Sequence, residues 1–122
     1  AAGYRDASRR ATLWRDAEAS YERALALAPN EETYLLAAGY QSLANGDVAS
    51  AQRFYARAAD VVPNSADAWA GLAWTAAATK DCARASADLA RARALRAGAG
   101  GPPVRDPVDD PNAGPALKRC AT

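Results

Sequence analysis

The sequence predicts an all-α protein built from repeated helix pairs, and three observations carry that prediction. Pro29-Asn30 recurs 34 residues later as Pro63-Asn64. The small and aromatic residues before each proline recur at the same spacing. Half of the 122 residues are hydrophobic, much of that fraction is alanine, and there are only three Trp, five Tyr and one Phe. Alanine has the best helix propensity and lets helices approach closely. A chain this poor in β-branched residues does not read as a sheet.

The repeat is read by walking back from each proline. One segment runs from Trp14 through Ala17, Tyr21 and Ala24 to Pro29, and the next from Val48 through Ala51, Tyr55 and Ala58 to Pro63. A weaker third copy runs from Cys82 through Ala85, Leu89 and Ala92 to Ala97. Between them, Leu35, Ala38 and Gly39 match Trp69, Leu72 and Ala73. Each unit is therefore two helices. The pattern places first helices near 31–44 and 65–79, second helices near 14–28, 48–62 and 82–96, and an incomplete first helix over 2–11.

The boundaries have causes. Pro29 and Pro63 end helices because proline lacks the N–H that the ladder needs. Asn64 followed by Asp67 predicts a capping box, and Glu31 and Glu32 suit a helix N-terminus after Asn30. Gly46-Asp47 ends one helix and caps the next, and Asp81 stands where Asp47 stood one unit earlier.

Residues 98–122 change character. Gly98, Gly100, Gly101, Pro102, Pro103, Pro107, Pro111, Gly114 and Pro115 predict an irregular, extended tail. Within it, Asp106, Asp109 and Asp110 read as residues that keep the segment soluble. The tail either lies along the helical array or is tied down through its cysteine. Cys82 and Cys120 leave two readings open: two thiols, as a reducing cytosol would keep them, or one bond closing a long loop. Cys82 matches Trp14 and Val48 in register, which also suits a small buried hydrophobe.

The bulk numbers exclude several functions. Net charge is +1, from 15 basic and 14 acidic residues, so no general attraction to nucleic acid or anionic membrane is expected. Arg84, Arg91, Arg93 and Arg96 on the last helix read as a solvated face rather than a phosphate patch. No apolar run is long enough to span a membrane. Arg5, Arg9, Arg10 and Arg15, with no apolar run after them, are not a secretory signal. The absence of Met predicts a processed form or a segment of a longer protein. The absence of His removes the commonest general base and metal ligand, and two cysteines alone do not close a zinc site. No nucleophile–base pair, phosphate loop or carboxylate cluster is evident, so neither catalysis, cofactor nor metal is expected.

The 34-residue spacing, the small Ala/Gly positions, Tyr21, Tyr55, Trp69 and the closing Pro-Asn resemble the tetratricopeptide repeat family over residues 1–97. That resemblance implies two and a half to three helix-turn-helix units stacked as a short right-handed superhelix, with atypical end repeats. It also implies that the first helix of each pair lines a concave, partner-binding face. The matching positions are Thr33, Leu36, Tyr40 and Leu43, then Asp67, Ala70, Trp74 and Ala77. Tyr40 and Trp74 lie 34 apart and should be neighbours. Trp74 sits about 140° around the helix from Trp69, so a partly exposed inner-face role for Tyr40 and Trp74 is expected over plain packing. Family members that clamp a terminal carboxylate use Lys, Asn and Arg at such positions. Here those positions are apolar or aromatic, with cations only at Arg9 and Arg10. The expected partner is therefore an apolar peptide or helix.

The leading expectation is a scaffold within a bacterial envelope assembly of the pilus, secretion or polysaccharide-export type. The preference for Arg over Lys and the Ala bias suggest a GC-rich source. A periplasmic or envelope location follows, with a cytoplasmic adaptor or co-chaperone as the alternative. A third expectation is self-association into a homo-oligomer through the open repeat ends, where Leu89 and Leu95 would matter.

Overall fold

The computed structural model describes the backbone of residues 2–100 and 105–121, with side chains at Arg9, Thr12, Leu13 and from Arg15 onward. Trp14, Arg5 and Arg10, singled out above, lie outside the described side chains, and Gly101, Pro102 and Pro103 lie outside the described residues altogether. Every regular element among the described residues is helical. They are α1 (Ala2–Leu27), α2 (Glu32–Ala44), α3 (Val48–Val61), α4 (Ala66–Ala78), α5 (Cys82–Ala99), a 3₁₀ turn (Pro107–Asp109) and α6 (Gly114–Ala121). α2 and α4 begin 34 residues apart, as do α3 and α5. α2 packs on α3, α3 on α4, and α4 on α5.

The turns repeat with the helices. After α2, the Gly46 N–H bonds the Leu43 carbonyl and the Asp47 N–H bonds the Ser42 carbonyl. After α4, Lys80 and Asp81 make the same two bonds to Ala77 and Ala76. This is the Schellman closure, which needs a left-handed residue just past the helix end. Gly46 and Lys80 supply it, with φ of 85° and 64°. The next residue starts the following helix: Asp47 accepts from the Ser50 N–H and Asp81 from the Arg84 N–H, each at 3.2 Å. One expected cap is corrected. Ser65, not Asn64, accepts from the Ala68 N–H at 3.2 Å, because α4 starts at Ala66.

Two further expectations are corrected. The separate helices over 2–11 and 14–28 are one helix of 26 residues. The linking Ala11-Thr12-Leu13 has neither Gly nor Pro to stop the ladder. The irregular tail is also partly folded. Its residues 105–121 return to the body, where α6 packs on α4 and α5.

The core has two parts. Leu35, Ala38, Phe54, Ala58 and Ala68 join α2, α3 and α4, flanked by Tyr21, Leu25 and Trp69. Leu43, Ala51, Tyr55, Ala73, Trp74, Ala77 and Ala85 join the same helices to α5 and to Ala113, Ala116 and Leu117 of the C-terminal segment. No described helix is long and apolar enough to cross a membrane.

Candidate binding cleft under the C-terminal segment

The site is built on α2 and α4. Tyr40 and Trp74 meet edge to face, with centroids 5.3 Å apart and planes at 63°. Behind them, Tyr55 of α3 enters between the two helices. It fits because Gly39 and Gly71 carry no side chain: a Cβ at Gly39 would stand 3.0 Å from the Tyr55 ring, and one at Gly71 would overlap it.

The C-terminal segment lies over these rings. Tyr40 Oη donates to the Asp110 carboxylate at 3.4 Å and accepts from Asn112 Nδ2 at 2.6 Å. Asp106 receives both Nε and Nη2 of Arg93, at 2.8 and 2.9 Å. That guanidinium holds the Asp106 carboxyl below its ordinary range, and Asp106 raises Arg93 in return. Arg96 donates to the Arg105 carbonyl at 2.9 Å and to Asp67 at 3.0 Å. Each aspartate also organises its own turn: Asp106 accepts from the Val108 N–H, and Asp110 from the N–H groups of Asn112 and Ala113. Gly114 lets α6 start against the Val108 carbonyl, which a Cβ would overlap. Pro107 and Leu117 are buried. Cys120 of α6 is disulfide-bonded to Cys82, the first residue of α5, with Cα atoms 5.0 Å apart.

The expected binding face is thus only partly open. Trp74 is 6% exposed, and Leu43 and Ala77 are also buried, in the core that receives Ala113, Ala116 and Leu117. The partial exposure expected for both rings holds for Tyr40 and is corrected for Trp74, whose indole belongs to the core. Thr33 and Asp67 are exposed, and Leu36 and Ala70 are half-buried. What stays open is a cleft of about 410 Å³ between α2, α4 and the segment. It is lined by Leu36, Ala37, Tyr40, Tyr55, Ala70, Gly71 and Trp74, with Asp67, Arg96, Arg105, Asp106 and Asp110 at its edge. Thr33, Leu43 and Ala77 do not line it. Its size and mostly apolar wall suit one or two inserted side chains or a small molecule.

Sequence reasoning missed Tyr55 as a site residue and misjudged Asp106 and Asp110, which are anchors rather than solubilising charges. A signal for the aspartates was present. Asp106-Pro107 and Asp110-Pro111 are paired turn starters, in which an Asp side chain caps the backbone two residues on. The arginines of α5 do not form one patch. Arg93 and Arg96 bind carboxylates, and Arg91 stacks over Trp69 at 4.4 Å. That Trp69 donates its indole N–H to the Pro63 carbonyl and lines a second cavity of about 250 Å³ between α3, α4 and α5. No cluster of three potential metal-ligating side chains occurs among the described residues. Comparison of the chain with known protein families, with curated proteins and with solved structures finds no match.

Proposed function

We propose that this chain is a non-catalytic interaction module of tetratricopeptide type that grips a protein segment in the cleft between α2, α4 and the C-terminal strap. The observation that supports the reading is the aromatic-walled cleft itself, lined by Leu36, Tyr40, Asp67, Ala70 and Trp74, positions that the tetratricopeptide resemblance assigns to partner binding. The 34-residue recurrence of helix starts, Schellman closures and Asp caps supports stacked repeat units and a short superhelix. Rigid aromatics at the cleft supply contact area at low entropic cost. The Cys82–Cys120 bond supports an oxidising compartment, in keeping with a place in a bacterial envelope assembly.

The test is selection from a random linear peptide library on the disulfide-intact protein. Enriched peptides should bind the wild type and lose binding to Ala70→Trp, which fills the cleft, with helicity unchanged by circular dichroism. No enrichment, or peptides indifferent to Ala70→Trp, would overturn the reading.

Self-association is a second reading, favoured by one observation. Leu13 and Leu27 of α1 are 58% and 90% exposed. Sedimentation of the wild type against Leu13→Ser/Leu27→Ser decides it: only a wild type heavier than the variant supports a homo-oligomer.

A further inference from the structure

The C-terminal strap, residues 105–121, is fastened to the helical body in two separable ways. The first is non-covalent. Arg93 pairs with Asp106, Tyr40 holds Asp110 and Asn112, and the apolar share rests chiefly on Ala113, Ala116 and Leu117. An ion pair as exposed as Arg93–Asp106 holds weakly. The second fastening is the Cys82–Cys120 bond, and both of its cysteines are partly exposed. The bond closes a long loop and is the firmer of the two.

The body has a core that owes nothing to the strap: Leu35, Ala38, Phe54, Ala58 and Ala68 pack among α2, α3 and α4 with no strap residue beside them. What the strap covers is the face that the tetratricopeptide resemblance assigns to a partner. Leu43, Trp74 and Ala77 share one core with Ala113, Ala116 and Leu117, and Tyr40 is hydrogen-bonded to Asp110 and Asn112. The strap is therefore seated where a partner would sit. Without it, Trp74 would lose its cover, Arg93 its carboxylate and Tyr40 both partners, while Arg96 would keep Asp67. The bared face would then suit the chemistry that the strap supplies, an acidic residue ahead of a short helix with a small apolar stripe.

We propose that the strap is a redox latch: it fills the partner face in cis until a dithiol cuts the Cys82–Cys120 bond, and a partner segment of the strap's own chemistry then takes its place. In that step one thiolate of the dithiol attacks a cystine sulfur and the S–S bond breaks, leaving a mixed disulfide that the second thiol resolves. The dithiol gives up two electrons and two protons and becomes a disulfide, and Cys82 and Cys120 become thiols. The latch acts by population. While the bond is closed the face is seldom free, and a partner's apparent affinity falls by the fraction that is open. The partner segment places its acidic residue at Arg93 and its apolar stripe at Trp74, as the strap does. The proposal rests on the reading of the chain as an interaction module and adds its gate and the chemistry of its partner.

The probe is a fluorescent synthetic peptide of residues 105–121 with Cys120→Ser, titrated by anisotropy into the full chain before and after treatment with dithiothreitol. The reduced chain should bind it about tenfold more tightly or better, because the open fraction rises when the bond is cut. Cys82→Ser/Cys120→Ser should bind as the reduced wild type does, with or without dithiothreitol. Leu117→Ala in the peptide should weaken binding about tenfold, as loss of a buried leucine does, and Asp106→Asn about threefold, as an exposed ion pair allows. Leu117→Ala in the reduced full chain should instead strengthen binding, because it loosens the competing strap. Equal binding by the two redox forms would overturn the proposal, as would peptide variants that bind like the parent. So would no binding by either the reduced wild type or the reduced Leu117→Ala chain. Loss of helicity throughout the chain on reduction, followed by circular dichroism, would overturn it too, since the bond would then hold the body and not a latch. Any of these results alongside library peptides that still bind the disulfide-intact protein would leave the interaction module standing without its gate. Tight binding by the reduced chain with no library enrichment on the disulfide-intact protein would support the latch and overturn the open cleft as the site.

Discussion

Lys80 holds a left-handed backbone, φ 64°, that residues with a Cβ avoid. It does so because the Schellman closure of α4 needs that conformation, and one unit earlier Gly46 meets the same need with φ 85°. The left-handed state costs a side-chain-bearing residue about 1–2 kcal/mol. Glycine's extra freedom when unfolded returns about 0.5–1 kcal/mol of that. Lys80→Gly should therefore stabilise the protein by about 0.5–1 kcal/mol, and Gly46→Ala should destabilise it by a similar amount. Urea unfolding of both variants checks this, and a less stable Lys80→Gly would contradict it. Gly71 is constrained differently, by space. A Cβ there meets the Tyr55 ring, which cannot retreat because Gly39 and α2 stand on its other side. Gly71→Ala should cost about 2–3 kcal/mol, the range for overpacking a core. A neutral Gly71→Ala in the same unfolding assay would mean that the ring has room to swing into the cleft.

At the scale of elements, α6 is the helix that most needs explaining. Eight residues are far too few for a helix to persist in water. It persists because Gly114, Ala116 and Leu117 are buried and because Cys120 is tied to Cys82, 38 residues away. Closing a loop of that length contributes about 3–4 kcal/mol in the chain-entropy model. Cys82→Ser/Cys120→Ser should lose most of that in denaturant unfolding, and should expose Trp74 to a fluorescence quencher. An unchanged midpoint would place the strap's stability in Tyr40–Asp110 and Arg93–Asp106 instead. The Arg93–Asp106 pair has its own pH signature. Arg93 depresses the folded Asp106 below the ordinary value of 3.8, so its contribution is present above that value and is lost as pH falls through the folded one. Both side chains are substantially exposed, 49% and 34%, so the contribution is less than about 1 kcal/mol. The stability gap between wild type and Asp106→Asn should be open at neutral pH and closed in strong acid. The elements differ in how legible they were. α2 to α5 were readable because each boundary carries its own local chemistry, Pro63, Gly46, Asp47 and Asp81 among them. α1 was misread as two helices because the repeat template asks for a break that Ala11-Thr12-Leu13 has no means to make. α6 was hidden behind the Gly and Pro content of its segment, although Ala113, Ala116, Leu117 and Cys120 keep the i, i+3, i+4, i+7 spacing of a helical stripe. Tyr40 beside Trp74 was legible from the period. The burial of Trp74 was not, since it depends on Ala113, Ala116 and Leu117, some forty residues further along the chain.

The whole molecule is close to one-dimensional, each helix resting chiefly on its neighbours in sequence, with α6 as the exception that folds back. Stability in such an array is graded rather than uniform. α1 has 26 residues and α2 has 13, so α1 runs about 20 Å beyond its neighbour at 1.5 Å per residue. Arg9, Thr12 and Leu13 in its first half are exposed, and none of its described residues is buried. In α3 and α4, by contrast, Ala51, Tyr55, Ala58, Ala68, Ala73 and Trp74 are core. Native-state hydrogen exchange should therefore order the helices. The N-terminal half of α1 should exchange almost as an unfolded chain, residues 16–27 should be intermediate, and α3 and α4 should be slowest, near the global limit. Reduction should move α6 from the protected group to the fast one and leave α3 and α4 nearly unchanged, because the bond fixes the strap and not the helix pairs. Protection along α1 that equals α4 at high protein concentration and falls on dilution would show a second copy covering Leu13 and Leu27. The same protection without concentration dependence would contradict the graded array, since α1 would then be as firmly held as the helices that carry the core.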